Sequence, residues 1–263
     1  MVNIEKVFSE LERLRESYQQ LIFEHDNIRF HVNKRLFSVY MLKIGYLEYQ
    51  VFDLDISIRR ARREIQLIQI DLNQQKIPNL SEIAKKIAIE LKDFYEKLAK
   101  EAEKIEAAKT FEAAPKLSGE ESKSLKILYR VLVKQLHPDL HPDATPAEIV
   151  LYQKVVEAYE MGNSRLLQEL ALQVEIGDVK EIQDPEKEIR RLKALIQQVE
   201  KELEVLKSSF PYNMKDFLSD EEKLQIKQEE LRNQIQQFEE IVAKYELKIK
   251  NMLGDTNNGF NEN

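Results

Sequence analysis

The sequence predicts an all-α protein in which long coiled-coil helices flank a small helical module. The 263 residues include only 6 glycines and 7 prolines, so regular structure has few places to end. Apolar residues recur at alternating steps of three and four over most of the chain, which is the spacing of a helical seam. Charged residues make up 33% of the chain and supply the solvated faces of such helices.

Residues 1–110 are predicted to form an N-terminal helical, coiled-coil region. Its first seam runs from Ile4 to Val32 in steps of three and four residues. Beyond this seam the apolar residues crowd together, so the helix either becomes buried on several sides or turns near Gly45. The pattern leaves both alternatives open.

A stop and a new helix start are predicted near the end of this region. Pro78 ends the preceding helical stretch, and Asn79 with Glu82 three residues later is typical of an N-cap. We therefore expect a helix over residues 80–108. The segment 111–120, with the sequence FEAAPKLSGE, then interrupts the periodicity as a linker does.

Residues 119–176 are predicted to form a compact central module. Its first helix is amphipathic, and Lys126, Arg130 and Lys134 follow one another four residues apart, away from the apolar positions. Cations at this spacing form one stripe along the helix. Such a stripe is usually a solvated face, and its context decides whether it also docks a partner.

Prolines fix the loop that follows this helix. Pro138 disfavours a helical conformation at His137, so the helix ends there. Thr145, Pro146 and Glu148 then supply an N-cap, a first-turn proline and a capping-box glutamate for a second helix. The module is therefore predicted to be two helices around a rigid loop.

In the order of its parts, the central module resembles the J domain of DnaJ-type co-chaperones. It has a helix with a basic face, a His-Pro-Asp tripeptide, a loop, and a helix that ends in Ala-Tyr-Glu. Tyr129 precedes His137 by eight residues and Tyr152 precedes Tyr159 by seven, as in that family. The chain is most similar to J domain-only members embedded in coiled coils. A second His-Pro-Asp tripeptide, which begins at His141, lacks the register to the upstream helix.

This resemblance implies a co-chaperone that docks on a DnaK-type ATPase chaperone and stimulates its ATP hydrolysis. The residues that the resemblance assigns to docking are His137, Pro138 and Asp139 in the loop and Lys126, Arg130 and Lys134 on the helix. The flanking coiled coils would bind an unknown client or assembly protein. The chain itself would be no enzyme, with no catalytic residue, cofactor or metal of its own.

One part of the J domain is missing from the local sequence. No first helix with the family's aromatic residue and Leu-Gly ending precedes the module, and Val131 occupies a commonly basic position. The long helix before Phe111 is the candidate substitute. The alternative hypothesis is a structural coiled-coil scaffold that keeps a degenerate J fold and engages no chaperone.

Residues 183–253 are predicted to form an antiparallel coiled-coil hairpin. Asp184 and Pro185 start its first arm as N-cap and first helical residue, Pro211 breaks the heptads, and a second arm follows. The heptads leave open whether the seams close within one chain or between chains in a homo-oligomer. Residues 254–263 lack apolar periodicity and are expected to be disordered.

Composition argues against several other classes of function. The net charge of −7 disfavours attraction to nucleic acid or to an anionic membrane, which leaves nucleic-acid binding through the basic helix as a weaker third hypothesis. The absence of cysteine excludes disulfides, thiolate catalysis and cysteine-ligated zinc. The sequence has neither a glycine-rich phosphate loop nor a nucleophile elbow.

The sequence also predicts a soluble, cytoplasmic protein. Residues 1–13 alternate charged and apolar side chains, unlike a signal peptide. The most apolar stretch, residues 36–58, includes Lys43, Glu48 and Asp53, which a membrane-spanning helix would bury at high cost. We therefore expect no membrane-spanning segment.

Overall fold

The computed structural model describes residues 4–174 and 184–259 of the chain. These residues form helices and no β-strand, which confirms the predicted all-α class. In chain order the elements are α1 (Ile4–Asn27), a π-helical segment (Ile28–Val32), α2 (Asn33–Tyr40), a second π-helical segment (Met41–Gly45), α3 (Tyr46–Asn73), α4 (Leu80–Glu90), α5 (Lys92–Ala113), α6 (Gly119–Leu136), α7 (Pro146–Glu160), α8 (Ser164–Ala171), α9 (Pro185–Ser208), a 3-10 turn (Tyr212–Met214), α10 (Lys215–Ser219) and α11 (Glu221–Gly259).

The chain divides into two compact units, each of which combines two separate stretches of sequence. The first unit contains Met1–Leu36 and Ala114–Lys215, and the second contains Phe37–Ala113 and Asp216–Asn263. The predicted regions 1–110 and 183–253 are therefore each shared between the two units. Residues 175 and 176 of the predicted module, and residue 183, lie outside the described residues.

In the first unit, α1 packs against α9, and the central module of α6, α7 and α8 packs against α1. The apolar seam between α1 and α9 is buried because each helix places its heptad positions on the other. Its buried members are Leu11, Leu14, Tyr18, Ile28, Leu140, Ile189, Leu192, Val199 and Leu203. Full burial of one such side chain stabilises the fold by about 1.5–3 kcal/mol, so this seam is a major part of the unit's core.

The helices of the module begin where the sequence places their caps. Ser118 and Glu121 form a capping box at the start of α6, and Thr145 and Glu148 form one at α7 with a proline in its first turn. A reversal between α7 and α8 depends on Gly162, whose φ of +65° lies in the left-handed region. These local signals fix the two helices and the loop between them.

In the second unit, α3 packs against α11, α4 and α5. The single helix predicted over residues 80–108 is interrupted at Leu91, whose ψ of 6° ends α4. Leu91 is itself buried, and apolar residues before and after the break share one core cluster with α3. The buried residues of that cluster are Ile56, Leu67, Ile68, Ile83, Ile87 and Leu91.

At Gly45 the chain does not turn. The π-helical segment Met41–Gly45 leads directly into α3, and Met41, Ile44 and Gly45 are buried. A Cβ atom at Gly45 would lie only 2.8 Å from the Cε atom of Met41. Of the two alternatives, the structure shows the one in which the helix continues and is buried on several sides, which explains the crowding of apolar residues in this stretch.

The two arms of the predicted hairpin, residues 183–253, belong to different units. Within the first unit α9 packs on α1, and within the second unit α11 packs on α3, so each arm has an N-terminal helix as its main partner. A heptad pattern identifies the face that a helix buries, but it does not identify the helix that covers this face. Residues 254–259, predicted to be disordered, continue α11, and residues 260–263 lie outside the described residues.

No helix among the described residues combines the length and the apolar character that crossing a bilayer requires.

Candidate functional site

The loop between α6 and α7 is a compact turn built on the first His-Pro-Asp tripeptide. His137 leaves the helix with a ψ of 123°, as expected for a residue before proline. Its carbonyl oxygen then accepts hydrogen bonds from the backbone N–H groups of Leu140 at 2.9 Å and His141 at 3.0 Å. The backbone N–H of Asp139 donates to the His137 Nδ1 atom at 3.1 Å, so the tripeptide is held by bonds of its own.

The second tripeptide has a different local role. The Nε2 atom of His141 lies 2.8 Å from the backbone carbonyl oxygen of Lys134, so this ring nitrogen donates to one of the last carbonyls of α6. Carbonyls at a helix C-terminus have no partner within the helix, and this bond satisfies one of them. His141 is therefore a C-terminal cap of α6.

The imidazole of His137 is largely buried between two tyrosines. Its side chain is 12% exposed, and its ring meets Tyr18 of α1 and Tyr152 of α7 in edge contacts, with centroid distances of 5.6 and 5.0 Å. Burial is the main cause that lowers the pKa of His137. The neutral ring is the form that can accept the Asp139 N–H at Nδ1.

Asp139 is held from two helices that lie outside the module. Its Oδ2 atom accepts a hydrogen bond of 2.5 Å from the Tyr18 hydroxyl on α1, and its backbone oxygen accepts one of 2.5 Å from Arg191 Nη2 on α9. Glu188 fixes the same guanidinium through two hydrogen bonds, which are the main cause that raises the pKa of Arg191. Burial and the bond to Asp139 together raise the pKa of Tyr18. The Asp139 side chain nevertheless remains 43% exposed.

Leu140, the residue after the tripeptide, anchors the loop in the seam between α1 and α9. Its side chain is 5% exposed and belongs to the buried cluster that contains Tyr18 and Leu192. An apolar side chain held in this way cannot leave the seam without exposing its surface to water. The loop is therefore part of the packing between the module and the two long helices.

The aromatic centre of the module is completed by α1. The rings of Tyr129 and Tyr159 stack in parallel with a centroid distance of 3.8 Å. The Tyr129 hydroxyl donates a 2.6 Å hydrogen bond to the buried carboxylate of Asp26, and Phe23 packs against both tyrosines. The helix that closes the module is thus α1, and the long helix before Phe111, which the sequence suggested, is α5 of the second unit.

The predicted basic stripe is brought to the surface of α6, but its three members differ in surroundings. Lys134 is exposed, Lys126 is half-buried, and Arg130 lies with its guanidinium 3.9 Å above the ring of Phe23. Between them the apolar side chains of Ile127 and Val131 are 63% and 45% exposed. The outer face of α6 therefore alternates cations with apolar side chains.

Three residues that hold the loop were missed by the reasoning from sequence: Tyr18, Leu140 and Arg191. Tyr18 counted only as a seam position, although its hydroxyl makes it a hydrogen-bond donor. Leu140 is an apolar residue in a proline-rich loop, and that contrast is a usable signal of an anchor. Arg191 carries no local signal, because it reaches the loop through the pairing of α1 with α9.

Among residues 4–174 and 184–259, no group of three or more His, Asp or Glu side chains is placed so that it could hold a metal ion. No protein-family model matches the chain, and comparisons with curated proteins and with solved structures found no match. The fold itself defines an all-α protein of two helical units. The function is therefore argued from the site alone.

Proposed function

We propose that this protein is a J domain-like co-chaperone that docks on a DnaK-type ATPase chaperone and stimulates its ATP hydrolysis. The observation that carries the proposal is the position of Asp139, whose carboxylate is 43% exposed in a proline-fixed loop that directly follows α6. The exposed cation of Lys134 lies on the last turn of the same helix. Loop and cation would form one docking surface.

The physical properties of this surface suit a transient contact. Exposed cations accelerate the encounter with a negatively charged partner and make it sensitive to salt. The loop loses little conformational freedom on binding, because Pro138 and the bond from Asp139 N–H to His137 Nδ1 already fix it. The exposed Ile127 and Val131 add apolar area beside the cations. The docking set is His137, Pro138, Asp139, Lys126, Arg130 and Lys134.

The partners follow from the same proposal. A cytoplasmic location would place the chain with DnaK-type chaperones, and the helices outside the module would bind a client or assembly protein. The net charge of −7 disfavours nucleic acid and anionic membranes as partners. Sedimentation would show whether the chain forms a homo-oligomer.

The decisive experiment is single-turnover ATP hydrolysis by a DnaK-type chaperone from the same cell. The wild-type chain, His137→Gln and His141→Gln would be compared, since the last alters the same residue type in the second tripeptide. We expect stimulation by the wild-type chain and by His141→Gln, and its loss in His137→Gln. Absence of stimulation by the wild-type chain would refute the proposal.

A specific observation favours a second candidate, the structural scaffold. His137 is largely buried and Asp139 is engaged by Tyr18 and Arg191, as they would be if the tripeptide served only to join α1, α9 and the module. For a scaffold, His137→Gln would lower the free energy of unfolding, and the chaperone's hydrolysis rate would be the same with and without the chain. Because His137 is buried in either case, the two candidates differ in whether the chain stimulates hydrolysis and not in whether His137→Gln lowers stability.

A further inference from the structure

We infer that α1 and α9 form an intramolecular clamp that masks the tripeptide and restrains its docking on the chaperone. This inference rests on the proposed function and adds a mode of regulation to the same site. We define the clamp as Tyr18 and Arg191 with the side chain of Leu140 between their helices. Its closed state is the one observed.

The clamp engages the groups that a docking partner would need. The Tyr18 hydroxyl occupies the Oδ2 atom of Asp139, and the Tyr18 ring contacts the ring of His137, which also contacts Tyr152 of the module itself. A partner that binds the carboxylate and the imidazole must displace these contacts or accept a reduced surface. Its apparent affinity is then lowered in proportion to the fraction of molecules in which the loop is free.

The two polar contacts of the clamp come from opposite sides of one helical seam. Tyr18 lies on α1 and Arg191 lies on α9, and Leu140 is buried among apolar residues of both helices. Separation of α9 from α1 would therefore remove the contact from Arg191 and open the apolar seam that buries Leu140, while Tyr18 would remain beside the module on α1. This arrangement couples the exposure of Asp139 to the pairing of the two long helices.

Ion pairs at the rim hold the same two helices together. The Nζ atom of Lys193 on α9 lies 2.6 Å from the Oε1 atom of Glu10 on α1, and the Nζ atom of Lys207 lies 2.5 Å from the Oε1 atom of Glu24. All four side chains are partly exposed. Exposed pairs of this kind contribute little and weaken in salt, so they leave the pairing open to competition. A client that binds between α1 and α9 would open the clamp and expose the loop to the chaperone.

The clamp is tested by a pair of substitutions that remove its polar contacts and keep its packing. Tyr18→Phe deletes only the hydroxyl, and Arg191→Gln removes the guanidinium that reaches Asp139. Matched controls make the same changes where the loop is not touched, as Tyr212→Phe and Arg190→Gln. Urea unfolding first establishes that each variant is folded, and hydrogen exchange at the amides of residues 139–141 reports opening of the loop.

We expect the Tyr18→Phe/Arg191→Gln chain to stimulate single-turnover hydrolysis at a roughly tenfold lower concentration than the wild-type chain does. The controls should match wild type, and addition of His137→Gln should abolish the gain. Faster exchange at residues 139–141 should accompany it. Equal or weaker stimulation by the double variant would overturn the clamp, since the same contacts would then be neutral or would preorganise the loop.

A covalent link between α1 and α9 should have the opposite effect and lower the stimulation of hydrolysis. The chain has no cysteine, so Glu24→Cys with Lys207→Cys introduces a single pair that a short bismaleimide can join across α1 and α9. We expect the locked chain to stimulate less than the same variant before linking, and undiminished stimulation would contradict the clamp. If the wild-type chain stimulates hydrolysis but neither the double substitution nor the covalent link changes this stimulation, only the clamp is refuted. If no form of the chain stimulates hydrolysis, the proposed function is refuted together with the clamp.

Discussion

The hydroxyl of Tyr129 on α6 donates a 2.6 Å hydrogen bond to the carboxylate of Asp26 on α1, across 103 residues of sequence. The bond runs in the opposite direction to that from Tyr18 on α1 to Asp139 in the loop. Module and long helix therefore each donate a phenol to a carboxylate of the other. Both bonds lie at least partly out of water, where a hydrogen bond to a charged acceptor is strongest.

Tyr129→Phe is expected to lower the free energy of unfolding by about 2 kcal/mol, because Asp26 loses a bond in a buried position. Tyr212→Phe is the control, since that ring is only partly buried, and its effect should stay within about 0.5 kcal/mol. Urea unfolding measures both. In an Asp26→Asn background the effect of Tyr129→Phe should shrink, and equal effects in both backgrounds would show that the two side chains are not coupled.

Leu140→Ala is expected to lower the free energy of unfolding by about 2–4 kcal/mol, because it removes a buried side chain from the seam between α1 and α9. Leu172→Ala removes the same atoms from a side chain that is 88% exposed and should be nearly neutral. Denaturant unfolding of the two variants provides the comparison. Similar costs for both would mean that Leu140 is not an anchor of the loop.

Helix starts were the part of the fold that the sequence predicted best. Asn79, Thr145 and Asp184 accept hydrogen bonds from backbone N–H groups of the residues that follow them by three. A cap depends on residues within one turn, so its signal is complete in the local sequence. The start of α7 and the end of α6 just before His137 and Pro138 followed from such local signals, and with them the loop of the candidate site.

Partner choice between helices was the part that the sequence did not determine. Leu192 and Leu203 of α9 pack with Leu11 and Tyr18 of α1, a pairing that the heptads alone did not predict. Apolar heptad positions are interchangeable among long helices, since burial depends on area and hardly on the identity of the partner. For the same reason the sequence could place His137 and Asp139 on a loop but could not show that Tyr18 and Arg191 hold them.

The stability of the first unit should fall as the pH is lowered from about 7 to 5. Burial lowers the pKa of His137 and of His31, so the folded chain keeps both rings neutral while the unfolded chain protonates them near pH 6.5. The unfolded state then binds more protons, and the free energy of unfolding decreases until the pH passes the lowered pKa values. Carboxylates titrate mainly below this range.

The measurement is the midpoint of urea unfolding at pH 7, 6 and 5 for the wild-type chain and for the His31→Gln/His137→Gln variant. In the variant, the midpoint should change less between pH 7 and pH 5 than it does in the wild-type chain, whatever the variant's stability at pH 7. Each single variant should remove part of this pH dependence. If the midpoint of the double variant changes with pH as much as that of the wild-type chain, other groups cause the pH dependence.

Charge reversal at the end of α6 should weaken stimulation of a DnaK-type chaperone without affecting the fold. Lys134 is exposed, and its side chain lies one turn before the loop, so Lys134→Glu should raise the concentration needed for half-maximal stimulation by about three- to tenfold. Lys154→Glu makes the same change of charge at an exposed position on α7 and is the control.

Ionic strength separates a docking charge from a general effect of net charge. The difference between Lys134→Glu and the wild-type chain should be largest at low salt and should shrink as salt screens the exposed cations. Concentration series of the single-turnover rate at about 50 and 300 mM salt measure it, spanning Debye lengths above and below about 10 Å. If Lys154→Glu has the same effect as Lys134→Glu, the stripe on α6 acts only through net charge, and the docking surface lies elsewhere.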